Sequence, residues 1–179
     1  TGQPGVCVVT AGPGFTNAIT GQATAYLANS PLVLISGGCG VNERDHVCLQ
    51  EMDQLSIIYP ISKWARVVYD VRRLFEYTAA AFRYAQTGRP GPVYLEIPID
   101  VLYQECEEEE VALGSFGPQA KPGAEPERIR RAVDLLAQAQ RPLLVVGSGV
   151  WFSQAFEELR RFVELIKIPT FTMGMGRGS

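Results

Sequence analysis

The 179-residue chain lacks most of the features that identify a protein quickly. It has one histidine, His46, which excludes a nucleophile or metal site built on several imidazoles and reads as a loop residue. No apolar run approaches the length of a membrane-spanning helix, and no signal-peptide pattern is present, so no membrane partner is expected. The 16 Lys and Arg residues are fewer than the 19 Asp and Glu and form no dense cluster, which removes nucleic acid from the expected partners. Four cysteines, Cys7, Cys39, Cys48 and Cys106, have neither close paired spacing nor the neighbours of a zinc site. They read as reduced thiols of a cytoplasmic protein, and no metal site is expected on this chain. The G-x-G-x-x-G spacing is missing too, because Gly12 and Gly14 are followed by Thr16 and Asn17, and Pro13 removes an N–H that a phosphate would want.

Apolar residues make up 46% of the chain, enough to bury a core. Val6 to Thr10 and Leu32 to Ser36 are short, β-branched apolar runs that read as buried parallel strands. Between them, Ala11-Gly12-Pro13-Gly14-Phe15 continues neither a strand nor a helix and reads as a tight βα turn. A helix follows, with Thr16 or Asn17 expected at its cap, Ala18, Ile19, Gln22, Ala23, Tyr26 and Leu27 on its buried face, and Asn29-Ser30-Pro31 as its stop. Such a turn presents backbone at the carboxyl ends of strands, where open α/β sheets place ligands.

Beyond it, Gly37 to His46 is a polar, glycine-led loop, and Leu49 to Ile58 carries helical spacing up to Pro60. Trp64 to Val68 predicts a third strand, Val71 to Gln86 a helix stopped at Gly88, and Pro92 to Ile97 a fourth strand. This alternation predicts an α/β fold, a doubly wound parallel sheet. Residues 105–126, with acidic Glu107 to Glu110 and then several Gly and Pro, read as a linker. A second α/β unit begins near Glu127, with a helix, a strand Pro142 to Val146, a turn Gly147 to Val150, a helix Gln154 to Ile166 and a strand from Pro169 to Thr172. The division is therefore 1–104, linker 105–126 and 127–179, and the chain reads as a fragment.

GPGFTNAITGQATAYLANSPLVLISG resembles the GPG-x-TN segment of the pyrimidine-binding domain in thiamine diphosphate enzymes of the acetolactate synthase type. The resemblance continues in register through Leu49-Gln50-Glu51, Ser62-Lys63-Trp64 and Gly88 to Val93, while RPLLVVGSGV and IPTFTMGMGRG are similar to the central domain of the same enzymes. It implies that Gly12, Pro13, Gly14 and Asn17 line the aminopyrimidine pocket and that Gln50 sits near the reacting substrate. It implies thiamine diphosphate and Mg2+ as cofactors, the metal held by a domain outside this chain. The implied activity is decarboxylation of a 2-oxo acid and ligation of the resulting carbanion to a second 2-oxo acid, in a homodimer or homotetramer. Gln50 to Gln54 and Lys63 to Arg66 are also similar to oxalyl-CoA decarboxylases and 2-hydroxyacyl-CoA lyases, which implies an acyl-CoA substrate instead. Flavin-binding members have an arginine four residues before the lysine; Tyr59 stands there, a departure that bears on FAD. A non-catalytic nucleotide-binding module is the remaining reading. The glutamate that drives the pyrimidine tautomer and the metal motif both fall outside the matched segments, so the chain alone is expected to be inactive.

Overall fold

The computed structural model describes residues 3–111, 113, 114 and 123–177. In chain order the elements are β1 (Gly5–Val9), α1 (Pro13–Ala28), β2 (Leu32–Gly38), α2 (Gln54–Ile58), β3 (Trp64–Val67), α3 (Leu74–Gln86), β4 (Pro92–Pro98), α4 (Ile99–Leu102), α5 (Pro126–Gln138), β5 (Leu144–Val146), α6 (Ser148–Ser153), α7 (Phe156–Ile166) and β6 (Thr170–Thr172), with short 3-10 turns between some of them. The described residues fall into two compact units, 3–114 and 123–177.

In the first unit four strands form a sheet of order β1-β2-β4-β3, and every pairing is parallel. β4 is buried at all seven positions, as a central parallel strand covered on both faces must be. Alternate side chains of the sheet supply two cores. On one face Leu34, Ala65 and Tyr94 pack with Phe15 of α1 and Ile58 of α2. On the other, Val33 and Val93 meet Ala81 and Ala85 of α3, and Leu95 and Ile97 meet Val68 and Val101. Helices thus cover both faces, the doubly wound arrangement expected from the sequence. Phe15 and Tyr94 anchor the first core with ring centroids 5.4 Å apart.

Two residues of the Ser62-Lys63-Trp64 segment act as ties between elements. The Ser62 hydroxyl accepts a 2.8 Å bond from Gln22 Nε2 in α1. Lys63 Nζ donates to the Tyr84 and Thr87 carbonyls at 2.6 and 2.8 Å, satisfying open acceptors at the carboxyl end of α3. Its partial burial lowers the lysine pKa.

Several local expectations are corrected. α1 begins at Pro13 with Gly12 at the cap, not at Thr16 or Asn17, because proline is preset for a first helical position. The helix read from Leu49 shrinks to α2: Gln50 has a positive φ, and the Asp53 carboxylate caps the shorter helix by accepting from the Ser56 N–H at 3.1 Å. The helix read from Val71 opens as a 3-10 turn capped by Asp70 before α3 starts at Leu74. In the second unit β5 and β6 pair in parallel, and Gly147 leads directly into α6 where a turn was expected. Within the expected linker, Glu108–Glu110 forms a 3-10 turn, while 112 and 115–122 lie outside the described residues.

Phe15→Ala is expected to destabilise the protein by about 3–5 kcal/mol, the usual cost of emptying a fully buried aromatic site. Urea unfolding of the variant beside wild type measures it.

Candidate functional site

The carboxyl ends of β1, β2 and β4 open into a cavity of about 830 Å³. Val8, Val9, Ile35 and Ile97 give it an apolar floor, and Thr10 and Ala11 bring the βα turn to its edge. The loop after β2 closes another side with Cys39, Glu43, His46, Cys48, Leu49 and Gln50.

The turn adopts its shape through Gly12, whose φ of +60° is left-handed and whose own N–H donates to Gln54 Oε1 at 3.0 Å. A Cβ at this position would stand 2.8 Å from the Gln50 Cβ, so the glycine also permits Gln50 to pack against it. Gln50 is held with φ +64°, exposed, at the cavity wall. Gly14 lies in the first turn of α1, where a Cβ would meet Thr10 Cγ2 at 2.7 Å. Pro13 and Asn17 are exposed at the start of α1, and Gly12, Pro13, Gly14 and Asn17 all stand just outside the residues that line the cavity, which the turn reaches through Thr10 and Ala11. The fold therefore brings together Gly12 and Gln50 and leaves Pro13 and Asn17 beside them on the helix surface.

A polar network that the sequence reading missed lies beneath this turn. The buried Gln54 amide gives its Oε1 to Gly12, while its Nε2 donates to the Gly37 carbonyl at 2.9 Å and to Glu96 Oε2 at 3.2 Å. Glu96, buried at the carboxyl end of β4, also receives the Arg44 guanidinium at 2.9 Å and a Tyr94 hydroxyl bond at 3.3 Å. Ser36 completes it, 2.6 Å from the same hydroxyl. Gly38 makes the room, since a Cβ there would be 2.6 Å from Glu96 Oε1. Burial raises the Glu96 carboxyl pKa against the opposing pull of Gln54, Arg44 and Tyr94, and burial likewise raises the Tyr94 phenol. The available signal was a single acidic residue inside the otherwise apolar strand Val93-Tyr94-Leu95-Glu96-Ile97.

The reading of all four cysteines as reduced thiols is also corrected: Cys39 and Cys48 are disulfide-bonded, while Cys7 and Cys106 are free. The linear spacing hid this pair because the loop folds back on the end of β2. A Glu43 carboxylate oxygen gathers with the two sulfurs within 4.8 Å, but sulfurs bonded to each other are not thiolate ligands for a metal.

A parallel α/β sheet with a cavity at its strand ends, beside a βα turn, defines the class of a small-molecule-binding domain. Residues 1–57 match the family described as thiamine pyrophosphate enzyme, N-terminal TPP binding domain, and residues 129–179 match thiamine pyrophosphate enzyme, central domain. The chain belongs to the thiamine pyrophosphate enzyme family. It is 38% identical over 182 residues to a probable acetolactate synthase large subunit of Methanocaldococcus jannaschii, covering 99% of this chain and 31% of that protein. It is 34% identical over 212 residues to human 2-hydroxyacyl-CoA lyase 2, covering 99% and 34% respectively, and 38% identical over 184 residues to an acetolactate synthase large subunit of Buchnera aphidicola, covering 100% and 32%. The chain thus spans about a third of the length of the curated relatives it matches. Among the described residues no helix is long and apolar enough to cross a membrane.

Two outcomes follow from this geometry. Gly12→Ala imposes a left-handed φ on a residue with a Cβ and presses it on Gln50, so a loss of about 1–3 kcal/mol is expected in chemical unfolding. For Glu96, a carboxyl pKa raised above its ordinary 4.5 means that the folded state holds the proton more tightly than the unfolded chain. The stability it contributes is complete below that ordinary value and is lost as pH rises through the raised one. Thermal melts should therefore show the melting temperature of Glu96→Gln, relative to wild type, climbing as pH increases through that window. A constant difference would mean that the buried carboxyl is not strained by ionisation.

Proposed function

We propose that the protein is a thiamine diphosphate-dependent enzyme of carbon–carbon bonds, acting as an acetolactate synthase on 2-oxo acids. The observation that carries the reading is the cavity itself, walled by Thr10 and Ala11 at the start of the βα turn and by Gln50, in a chain whose two ends match successive domains of the family. When bound, thiamine diphosphate supplies an electron sink for the charge left as a bond beside a carbonyl breaks.

The lining fits one end of such a cofactor. Its apolar floor and its backbone edge at Thr10 and Ala11 suit an aromatic ring, and among the lining residues there is no lysine or arginine to balance a diphosphate. Gly12 and Gly14 keep the turn close to the sheet, so that backbone can approach a ring closely. Gln50 offers an uncharged amide at the wall, suited to orienting a substrate carbonyl or carboxylate without moving a proton. Gln54 and Glu96 position the turn from below. Pro13 and Asn17 complete the proposed cofactor-binding segment from the first turn of α1.

In this reading residues 1–104 belong to the pyrimidine-binding domain, 105–126 to a linker and 127–179 to the start of the central domain. Mg2+ is held by another part of the full-length protein, the active site is completed in a homodimer or homotetramer, and the protein works in the cytoplasm. FAD, if bound, lies in the central domain without the arginine that Tyr59 replaces. A 2-hydroxyacyl-CoA lyase or oxalyl-CoA decarboxylase is the second reading, favoured by the Gln50 to Gln54 and Lys63 to Arg66 segments and by the human relative.

The test is an assay of the full-length protein with thiamine diphosphate and Mg2+, measuring acetolactate from pyruvate beside cleavage of 2-hydroxyacyl-CoA and oxalyl-CoA. Acetolactate formation is expected, with none from residues 1–179 alone. Acyl-CoA cleavage without acetolactate would transfer the protein to the second reading, and turnover by the isolated chain would defeat the divided site.

A further inference from the structure

We propose that Cys39 and Cys48 form a thiol–disulfide switch that sets how firmly the 39–50 loop is held against the cavity, operated by exchange with a dithiol reductant or its disulfide. The bond joins positions nine residues apart and ties the end of β2 to the far limb of the loop. Between and just beyond the two sulfurs, Asp45, Val47 and Gln50 all have left-handed φ values, although none is glycine and Val47 is β-branched. Such a backbone persists only where its surroundings over-determine it.

The other tethers of the loop are non-covalent: the Val41 N–H donates to Asp100 Oδ2 at 2.8 Å, and the Arg44 guanidinium lies over the Tyr69 ring. Arg44 reaches Glu96, and the Glu51 carboxylate accepts the Asp45 and Cys48 N–H groups at 2.7 and 3.3 Å. The disulfide is the covalent member of this set. Removing it restores conformational freedom to a limb whose apolar side chains, Val47 at 95% and Leu49 at 86% exposure, bury too little surface to hold it.

The two sulfurs are placed differently, which orders the exchange. Cys39 is buried and Cys48 is half-buried, so an incoming thiolate attacks the Cys48 sulfur. The Cys39–Cys48 bond breaks, a mixed disulfide forms on Cys48, and the electron pair leaves on Cys39 sulfur, which takes a proton. The second thiolate of the reductant then attacks the mixed disulfide, releasing Cys48 as a thiol and the reductant as its own disulfide. Two thiols are gained and two are oxidised. In the reduced state the Glu43 carboxylate, 3.6 Å from the Cys48 sulfur, is placed to accept its S–H, so the released thiol has a hydrogen-bond partner.

The loop also carries Gln50, whose Cβ rests on the Gly12 turn. Its effect on thiamine diphosphate affinity rests on the function proposed above; the switch itself does not.

The experiment is hydrogen exchange of the full-length protein, oxidised and after reduction with dithiothreitol, read on peptides covering 40–53 and 92–98. Differential alkylation should first recover a Cys39–Cys48 linked peptide from oxidised protein. Reduction is expected to speed exchange at 40–53 by about tenfold, with β4 unchanged as the sign of an intact fold. Cys39→Ser/Cys48→Ser should exchange fast under both conditions. Absence of the linked peptide, or equal exchange before and after reduction, would overturn the switch. Unaltered thiamine diphosphate affinity with accelerated exchange would keep the switch and count instead against the cavity walled by this loop as the cofactor's site.

Discussion

The Gln54 side-chain amide is the contact on which the site geometry depends. Its oxygen fixes the backbone N–H at the one glycine that gives the βα turn its left-handed bend, and its nitrogen engages the Gly37 carbonyl and the Glu96 carboxylate at the ends of β2 and β4. One planar group therefore locks three strand ends in register with each other. An amide suits this role because it donates and accepts simultaneously and carries no charge to desolvate. The cost of burying Glu96 is what the arrangement sustains in return, offset by three donors, Arg44, Gln54 and Tyr94, gathered around its two oxygens.

That network also explains the small residues around it. Gly38 must lack a side chain for the Glu96 carboxylate to lie flat against β2, and Gly12 must lack one for Gln50 to close over the turn. Both are close-approach constraints set by partners distant in sequence. The ordinary packing above and below the sheet then follows from alternation along β2 and β4, which sends Leu34 and Tyr94 to the α1 face and Val33 and Val93 to the α3 face.

Most of the architecture was legible in the sequence for a simple reason. β2 and β4, largely buried on both faces, read as continuous apolar runs, and α3 shows its face through regularly spaced apolar side chains; β1 reads the same way, yet as an edge strand it leaves Val6 and Val8 exposed, so the expectation of a buried strand there is corrected. What failed was local chemistry at element ends. Leu49 to Asp53 carried helical spacing, but the spacing says nothing of a left-handed Gln50 held against Gly12 or of Asp53 capping from within the run. Gly147-Ser148-Gly149 read as a turn because glycine is a poor helix residue, yet Gly147 alone supplies the break and α6 begins at the serine. The bonded Cys39–Cys48 pair and the Gln54 contact with Gly12, 42 residues away, required the fold before they could be seen.

Charge explains why such a cavity should be only part of a site. Apart from bonded cysteines, its ionisable lining consists of Glu43 and His46, neither of which neutralises the several negative charges of a diphosphate. The nearby cation, Arg44, is already committed to Glu96. Recruiting it would leave a buried carboxylate unpaired, which costs more than an exposed anion contact returns. An apolar floor, a backbone edge and a neutral amide are instead the complement of an uncharged ring. On the proposed function, the anionic part of a thiamine diphosphate held here would find its cations on a surface other than this lining.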